Sequence, residues 1–286
     1  MDAAATLAIY GEIKVYVIAL LISLPRAYAF IAMSQLLAPT AVPRLARTVA
    51  ILIIAFPIVP MHLVMVDVIS TDLIVFAGFF FKEYAIGFVM GYMIAWLFWA
   101  VQASGAFIDN QRGAAIAASI DPMQGHETSP LGILFSQAFI TYFFAVGGFL
   151  LVLGLLYESY ALWPVTKMLP IYSEQFPALM LALLDKGMKL MFILAAPVIA
   201  IMFLAEFALA IVSRFAPQIQ VFILAMPIKS AIAILILIFY FGTLLNLGQK
   251  ESGHFRPYMN DLYDVLRKGE LAGPPPPRPR VLPGAP

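Results

Sequence analysis

The chain has 286 residues, 63% of them hydrophobic and 12% charged, with a formal net charge of +1 and a mean hydropathy of +0.94. Soluble domains carry about 45–50% apolar and about 25% charged residues, so this composition excludes an ordinary soluble domain and indicates an integral membrane protein. The lack of cysteine excludes disulfides, thiolate nucleophiles and sulfur-ligated metals, and the near-zero charge balance argues against nucleic acid as a partner.

A helix needs about 20 mostly apolar residues to cross hydrocarbon. Six runs come near or exceed that length, at residues 13–37, 48–66, 73–101, 131–156, 188–212 and 221–247. The alternation of a membrane barrel is absent from the sequence. The predicted class is therefore all-α integral membrane, with about six hydrophobic helices and a cytoplasmic C-terminal tail. Ala27-Tyr28-Ala29 in the first run has the form of a leader cleavage site, but Asp2 and Glu12 stand where a leader is basic, so the run is expected to be retained. Pro25, Pro57, Pro60, Pro197 and Pro227 fall within or at the ends of runs and predict kinked or broken helices. Gly87 and Gly91 form a small-xxx-small pair that predicts a close helix contact without naming its neighbour, and Gly147, Gly148 and Gly154 continue the theme.

Lys14, Lys82, Glu83, Glu206 and Lys229 lie in or beside apolar runs, where an unpaired charge costs about 2.5–3.5 kcal/mol at mid-membrane. Lys14 is expected to snorkel to the interface and the others to pair with a neighbouring helix or subunit. A proton relay through Glu83 and Glu206 is the sharper alternative. By the positive-inside rule Arg44 and Arg47 place the first loop in the cytoplasm, and Arg256, Arg267, Lys268, Arg278 and Arg280 place the tail there too. Six simple crossings would put the two on opposite sides, so an unusual arrangement of crossings is expected.

Residues 249–269 are polar, with Tyr258, Leu262, Val265 and Leu266 at helical spacing, which predicts one amphipathic helix outside the bilayer. The Pro-rich end beyond Gly273 is expected to be extended.

Residues 105–130, GAFIDNQRGAAIAASIDPMQGHETSP, are polar, small and glycine-punctuated between two apolar runs. Asp109, Arg112, Asp121, His126 and Glu127 provide a single histidine and no helical ligand pair, which makes a poor metal site. Ser104, Ser119 and Ser129 have no nucleophile elbow, so no catalytic residue and no cofactor is expected.

The block from Gly105 to Ala115, followed by Asp121-Pro122 and Gly147-Gly148, resembles the central signature of the T subunit of the type III secretion export apparatus, the virulence-system counterpart of the flagellar R export component. A second block, Arg214-Phe215-Ala216-Pro217-Gln218-Ile219-Gln220-Val221-Phe222 with Met226-Pro227-Ile228-Lys229-Ser230, is similar to the family's R-x-x-P-Q-x-N/Q-x-F stretch and the proline-lysine after it. Gln220 stands where flagellar members tend to carry Asn, and the Asp109-Asn110-Gln111-Arg112 wording is closer to the injectisome branch.

The resemblance implies a structural and gating subunit of the export gate in the bacterial inner membrane. It would assemble with several copies of the R-type and S-type subunits, and with the U-type switch and V-type export gate subunits. The whole would form a closed portal for unfolded protein substrates, much of it lifted out of the bilayer plane, with membrane lipid around it. Residues 1–172 would resemble the larger portal subunit, residues 173–248 the small hairpin subunit, and residues 249–286 would form the tail. The resemblance further implies a pore plug at Gly105, Phe107, Ile108, Gln111, Arg112, Gly113, Ile116, Ile120, Asp121, Pro122 and Met123, with Gly105, Gly113 and Gly125 as hinges. Glu83, Glu206, Arg214, Pro217, Gln218, Gln220, Phe222, Pro227 and Lys229 are assigned to subunit packing. Two rival readings stand beside this one. A proton-coupled small-molecule transporter predicts an inverted repeat that the two halves lack, and a membrane enzyme at Asp109, Asp121 and His126 lacks a nucleophile or metal.

Overall fold

A computed structural model describes residues 3–38, 42–66, 73–113, 129–167, 175–215 and 221–272. Among these residues all regular structure is helical. The helices are α1 (Ala3–Ser34), α2 (Arg44–Ala55), α3 (Val59–Leu63), α4 (Leu73–Gln111), α5 (Pro130–Ala145), α6 (Gly148–Leu162), α7 (Gln175–Phe215), α8 (Val221–Ser252) and α9 (Phe255–Ala272). Five stretches are long and apolar enough to cross a membrane, and α5 with α6 makes a sixth if the bent pair is one broken span. The chain is a multi-pass membrane protein.

Glycines set the central crossing. Gly87 of α4 lies against the Arg26 backbone of α1, and one turn on Gly91 lies against Phe30 and Met33. Both contacts advance in the same sense, so α1 and α4 run parallel, with α2 and α3 returning between them. The neighbour that the Gly87–Gly91 spacing left unnamed is α1.

Helix α5 runs back along α4, with Phe98 tilted or edge-on to Phe139 and Phe143. Helix α7 follows α4 in parallel, since Tyr92 donates to the Met180 carbonyl and Phe107 meets Phe192 edge-on at 5.3 Å. Helix α8 descends again, Phe241 meeting Phe135 and Gly248 meeting Phe139. The six runs therefore alternate in direction, and the basic residues that open α2 lie at the opposite end of the bundle from those that close α9. The charge conflict read from the sequence thus persists in the fold.

Three features give the expected runs their detail. The run at 131–156 is two helices bent by 76°, because Gly147 adopts φ +82°, a left-handed conformation open to glycine, and ends α5. Pro57 and Pro60 break the second run, through a 3-10 turn at Phe56–Ile58, but Pro25, Pro197 and Pro227 lie inside continuous helices. Helix α9 is amphipathic as expected, yet it lies on the bundle. Phe255, Tyr258, Met259, Leu262 and Leu266 are buried in the main core with residues of α4 to α7. The expected Pro-rich end, residues 273–286, lies outside the described residues.

Candidate functional site

Two polar constructions interrupt the apolar bundle. The first closes the conspicuous middle segment. Helix α4 runs ten residues beyond the apolar run that predicted it, so Gly105, Phe107, Ile108 and Gln111 are helical. Gly105 lies inside the helix and not at its end: a Cβ there would stand 2.6 Å from the Leu131 carbonyl oxygen. It serves close approach of α5 to α4. Arg112 N–H donates to Ile108 O and Gly113 N–H to Asn110 O, and Gly113 ends the helix at φ +88° beside the Met226 side chain of α8.

Asp109, 2% exposed, holds both ends of the segment that follows. Its Oδ1 accepts from Arg112 Nε at 2.7 Å, and its Oδ2 accepts from Ser129 Oγ at 2.6 Å and from the Leu131 backbone N–H at 2.8 Å. Ser129 in turn caps α5, its Oγ accepting from Gly132 N–H. The carboxylate thus sits at the positive end of α5 and ties it to the last turn of α4. Ile108, fully buried, anchors the same turn in the core. Ile116, Ile120, Asp121, Pro122 and Met123 lie outside the described residues, as does the proposed hinge at Gly125.

We expect Asp109→Ala to remove three charge-assisted bonds, each worth about 1.5–3 kcal/mol against a buried partner. Limited proteolysis of the purified protein should then cut within residues 114–128 at least tenfold faster than in the wild type, whereas an unchanged rate would show that the segment is held elsewhere.

The second construction is a buried clamp. Arg26, fully buried in α1, donates through Nε and Nη2 to the two oxygens of Glu83 at 2.7 and 2.9 Å. Nη1 donates to Ser159 Oγ of α6 and Nη2 also to the Trp163 carbonyl. The guanidinium carbon lies 4.2 Å from the centre of the Tyr160 ring. Lys82 joins at 2.9 Å from Glu83 Oε1 and donates to the Val165 and Lys167 carbonyls of the turn after α6. Beside it Ser23 Oγ lies 2.7 Å from His62 Nδ1, and Tyr160 Oη donates to Ser23 O. Sequence reasoning assigned Glu83 to packing and found neither Arg26 nor Tyr160 as its companions. The available signal was an arginine inside the first apolar run.

Glu206 and Lys229 meet each other across the α7–α8 hairpin at 3.2 Å, so Glu83 and Glu206 have separate cationic partners. Arg214 is exposed in the last turn of α7, where it complements the helix dipole. Pro227 lies in α8 and Phe222 in its first turn, while Pro217, Gln218 and Gln220 lie outside the described residues.

The chain matches the sequence profile of the family described as bacterial export proteins, family 1, over residues 17–254. It is 42% identical to the Yop proteins translocation protein T of Yersinia pestis over 187 residues, covering 65% of this chain and 72% of the relative. Identity to the secretion system apparatus protein SsaT of Salmonella typhimurium is 35% over 63% of this chain and 70% of the relative. Identity to the flagellar biosynthetic protein FliR of Bacillus subtilis is 34% over 55% of this chain and 61% of the relative.

Proposed function

Since the chain belongs to the bacterial export protein family 1, we propose that it is the T-type structural and gating subunit of a type III secretion export gate in the inner membrane. A role in protein export follows from the relatives, and the gating role rests on the geometry at Asp109. One buried carboxylate binds both Arg112 and Ser129, so the two ends of residues 112–129 are held together at one point. A barrier that must seal against ions and yield to an unfolded chain needs such a base, with a span free to yield between the fixed ends.

The proposed partners are R-type and S-type subunits, with the U-type and V-type components beside them. Support comes from the two faces of the α7–α8 hairpin. Phe207 and Leu204 of α7 and Phe239 and Ile238 of α8 are more than 60% exposed, a surface suited to lipid or to another helical subunit. Arg214, in the last turn of α7, and Lys229, paired with Glu206 beside Leu204 and Phe207, belong to this assembly surface in our reading. The injectisome branch is favoured by Gln220, by the Asp109-Asn110-Gln111-Arg112 wording and by the higher identity to the virulence-system relative.

Deleting residues 114–119 leaves Asp109, Arg112, Gly113 and Ser129 in place and shortens only the span. Assembled complexes carrying the deletion are expected to form at wild-type yield and to make cells leak small solutes several-fold faster. A normal permeability in fully assembled complexes would refute the gating role.

A further inference from the structure

The groove between α7 and the elbow joining α8 to α9 is used by neither the loop base nor the Arg26 clamp. It has a volume of about 390 Å³, and its walls include Trp96, Lys186, Lys189, Leu190, Ile193 and Tyr258. Lys186 and Lys189 are three residues apart on α7 and share a face. Lys186 is already oriented: its Nζ donates to Tyr258 Oη at 2.9 Å and lies 4.1 Å from the centre of that ring. The carboxylate of the groove, Glu251, stands 3.6 Å from His254 Nδ1 on the opposite wall. Trp96 Nε1 is buried and has no hydrogen-bond partner among the described residues.

What lies beyond the lysines indicates the ligand. The next turn presents Leu190 and Ile193 to the groove, and Ile193, Ala196, Ala200 and Leu204, three or four residues apart, continue as an exposed apolar strip along α7. Two exposed cations stand at the head of an apolar strip, with the buried Trp96 and Tyr258 behind them. These are the features of a membrane-interface site for an anionic amphiphile.

We propose that this groove binds an anionic phospholipid, with Lys186 and Lys189 holding the phosphate and Ile193, with the exposed strip beyond it, packing against the first part of an acyl chain. The proposal rests on the membrane character of the chain and is independent of the gating reading.

The test uses the full chain in phosphatidylcholine nanodiscs with and without phosphatidylglycerol, with retained lipid counted by native mass spectrometry. Phosphatidylglycerol should be retained selectively, and the K186Q/K189Q variant should weaken that retention by about tenfold to thirtyfold, since each basic side chain near the membrane surface contributes to anionic-lipid affinity. Both lysines are exposed, so the variant is expected to melt as the wild type does, and K186R/K189R should restore retention. Unchanged phosphatidylglycerol retention in K186Q/K189Q, or equal retention of phosphatidylcholine, would overturn the proposal. So would full displacement by inorganic phosphate, which would indicate a site for free anions. Capture of a neighbouring subunit that needs both lysines and no phosphatidylglycerol would assign them to a protein carboxylate instead.

Discussion

Glu83→Ala is expected to cost the folded protein about 3–5 kcal/mol, because it strands a guanidinium in the core with no counter-charge. Arg26 and Glu83 are both fully buried, and the two Arg26 nitrogens that grip the carboxylate have no water to turn to. Lys82 would lose its anion as well. The measurement is the thermal midpoint of the detergent-solubilised protein, together with the yield of folded material. Removing both charges with Arg26→Met and Glu83→Met should recover most of the loss, since a buried ion pair contributes little over an apolar pair of similar volume. Recovery should be incomplete, because Ser159 and the Trp163 carbonyl lose a donor and Lys82 stays without its anion. Arg26→Lys keeps the charge but lacks the fork that reaches Glu83, Ser159 and Trp163 together, so it should fall between the two. A Glu83→Ala protein that melts at the wild-type temperature would show that the clamp contributes nothing to the fold.

Gly91→Leu is the second large effect. Even a Cβ at Gly91 would stand 2.7 Å from Met33 Cβ and 2.8 Å from the Phe30 carbonyl oxygen. A Cβ at Gly87 would overlap the Arg26 carbonyl. Backbone atoms cannot rotate aside, so α1 and α4 must separate, and the Arg26–Glu83 bonds, one turn from Gly87 and two from Gly91, open with them. Overpacking typically costs about 1–3 kcal/mol, and loss of the clamp adds to it, so Gly91→Leu is expected to abolish recovery of folded protein and Gly87→Ala to lower the melting midpoint clearly. Gly154 and Gly242 lie in helices where a Cβ would meet nothing within 4 Å among the described residues, and alanine there should be neutral or stabilising by about 0.5–1 kcal/mol. Equal melting of Gly87→Ala and Gly242→Ala would mean that the crossing is not close-packed.

The number of runs and their apolar character were legible in the sequence because a span in hydrocarbon leaves a long compositional trace. Their ends were less so. Helix α7 begins at Gln175, well before the apolar run at 188, because Asp185, Lys186 and Lys189 interrupt hydropathy while Leu183 and Leu190 keep the buried face. The break at Gly147 depends on one backbone angle, which composition does not register. The spacing of Gly87 and Gly91 pointed to a real crossing, whereas the plug assignment named the neighbours of Asp109 and left out Asp109 itself. What remained hidden was pairing at distance. Asp109 meets Ser129 twenty residues away, and Arg26 meets Ser159 at a separation of 133, with no local pattern linking either pair. Helix α9 was recognised by its periodicity, but its docking on the bundle depends on a surface assembled from several other helices.

The clamp also orders events in time. Arg26 is made 57 residues before Glu83, which at synthesis rates of about 5–20 residues per second is about 3–11 s. Through that interval α1 is complete but its guanidinium has not met the carboxylate that neutralises it in the finished protein. The first helix is therefore poorly suited to settle alone in lipid, and must wait at the insertion machinery or at the membrane surface until α4 arrives as its parallel companion. Ser159 and the Trp163 carbonyl come later still, 133 and 137 residues after Arg26, so the clamp is complete only when the first four hydrophobic runs have all been synthesised. Insertion of this half of the molecule is thus a collective step, with the arginine made first and satisfied last.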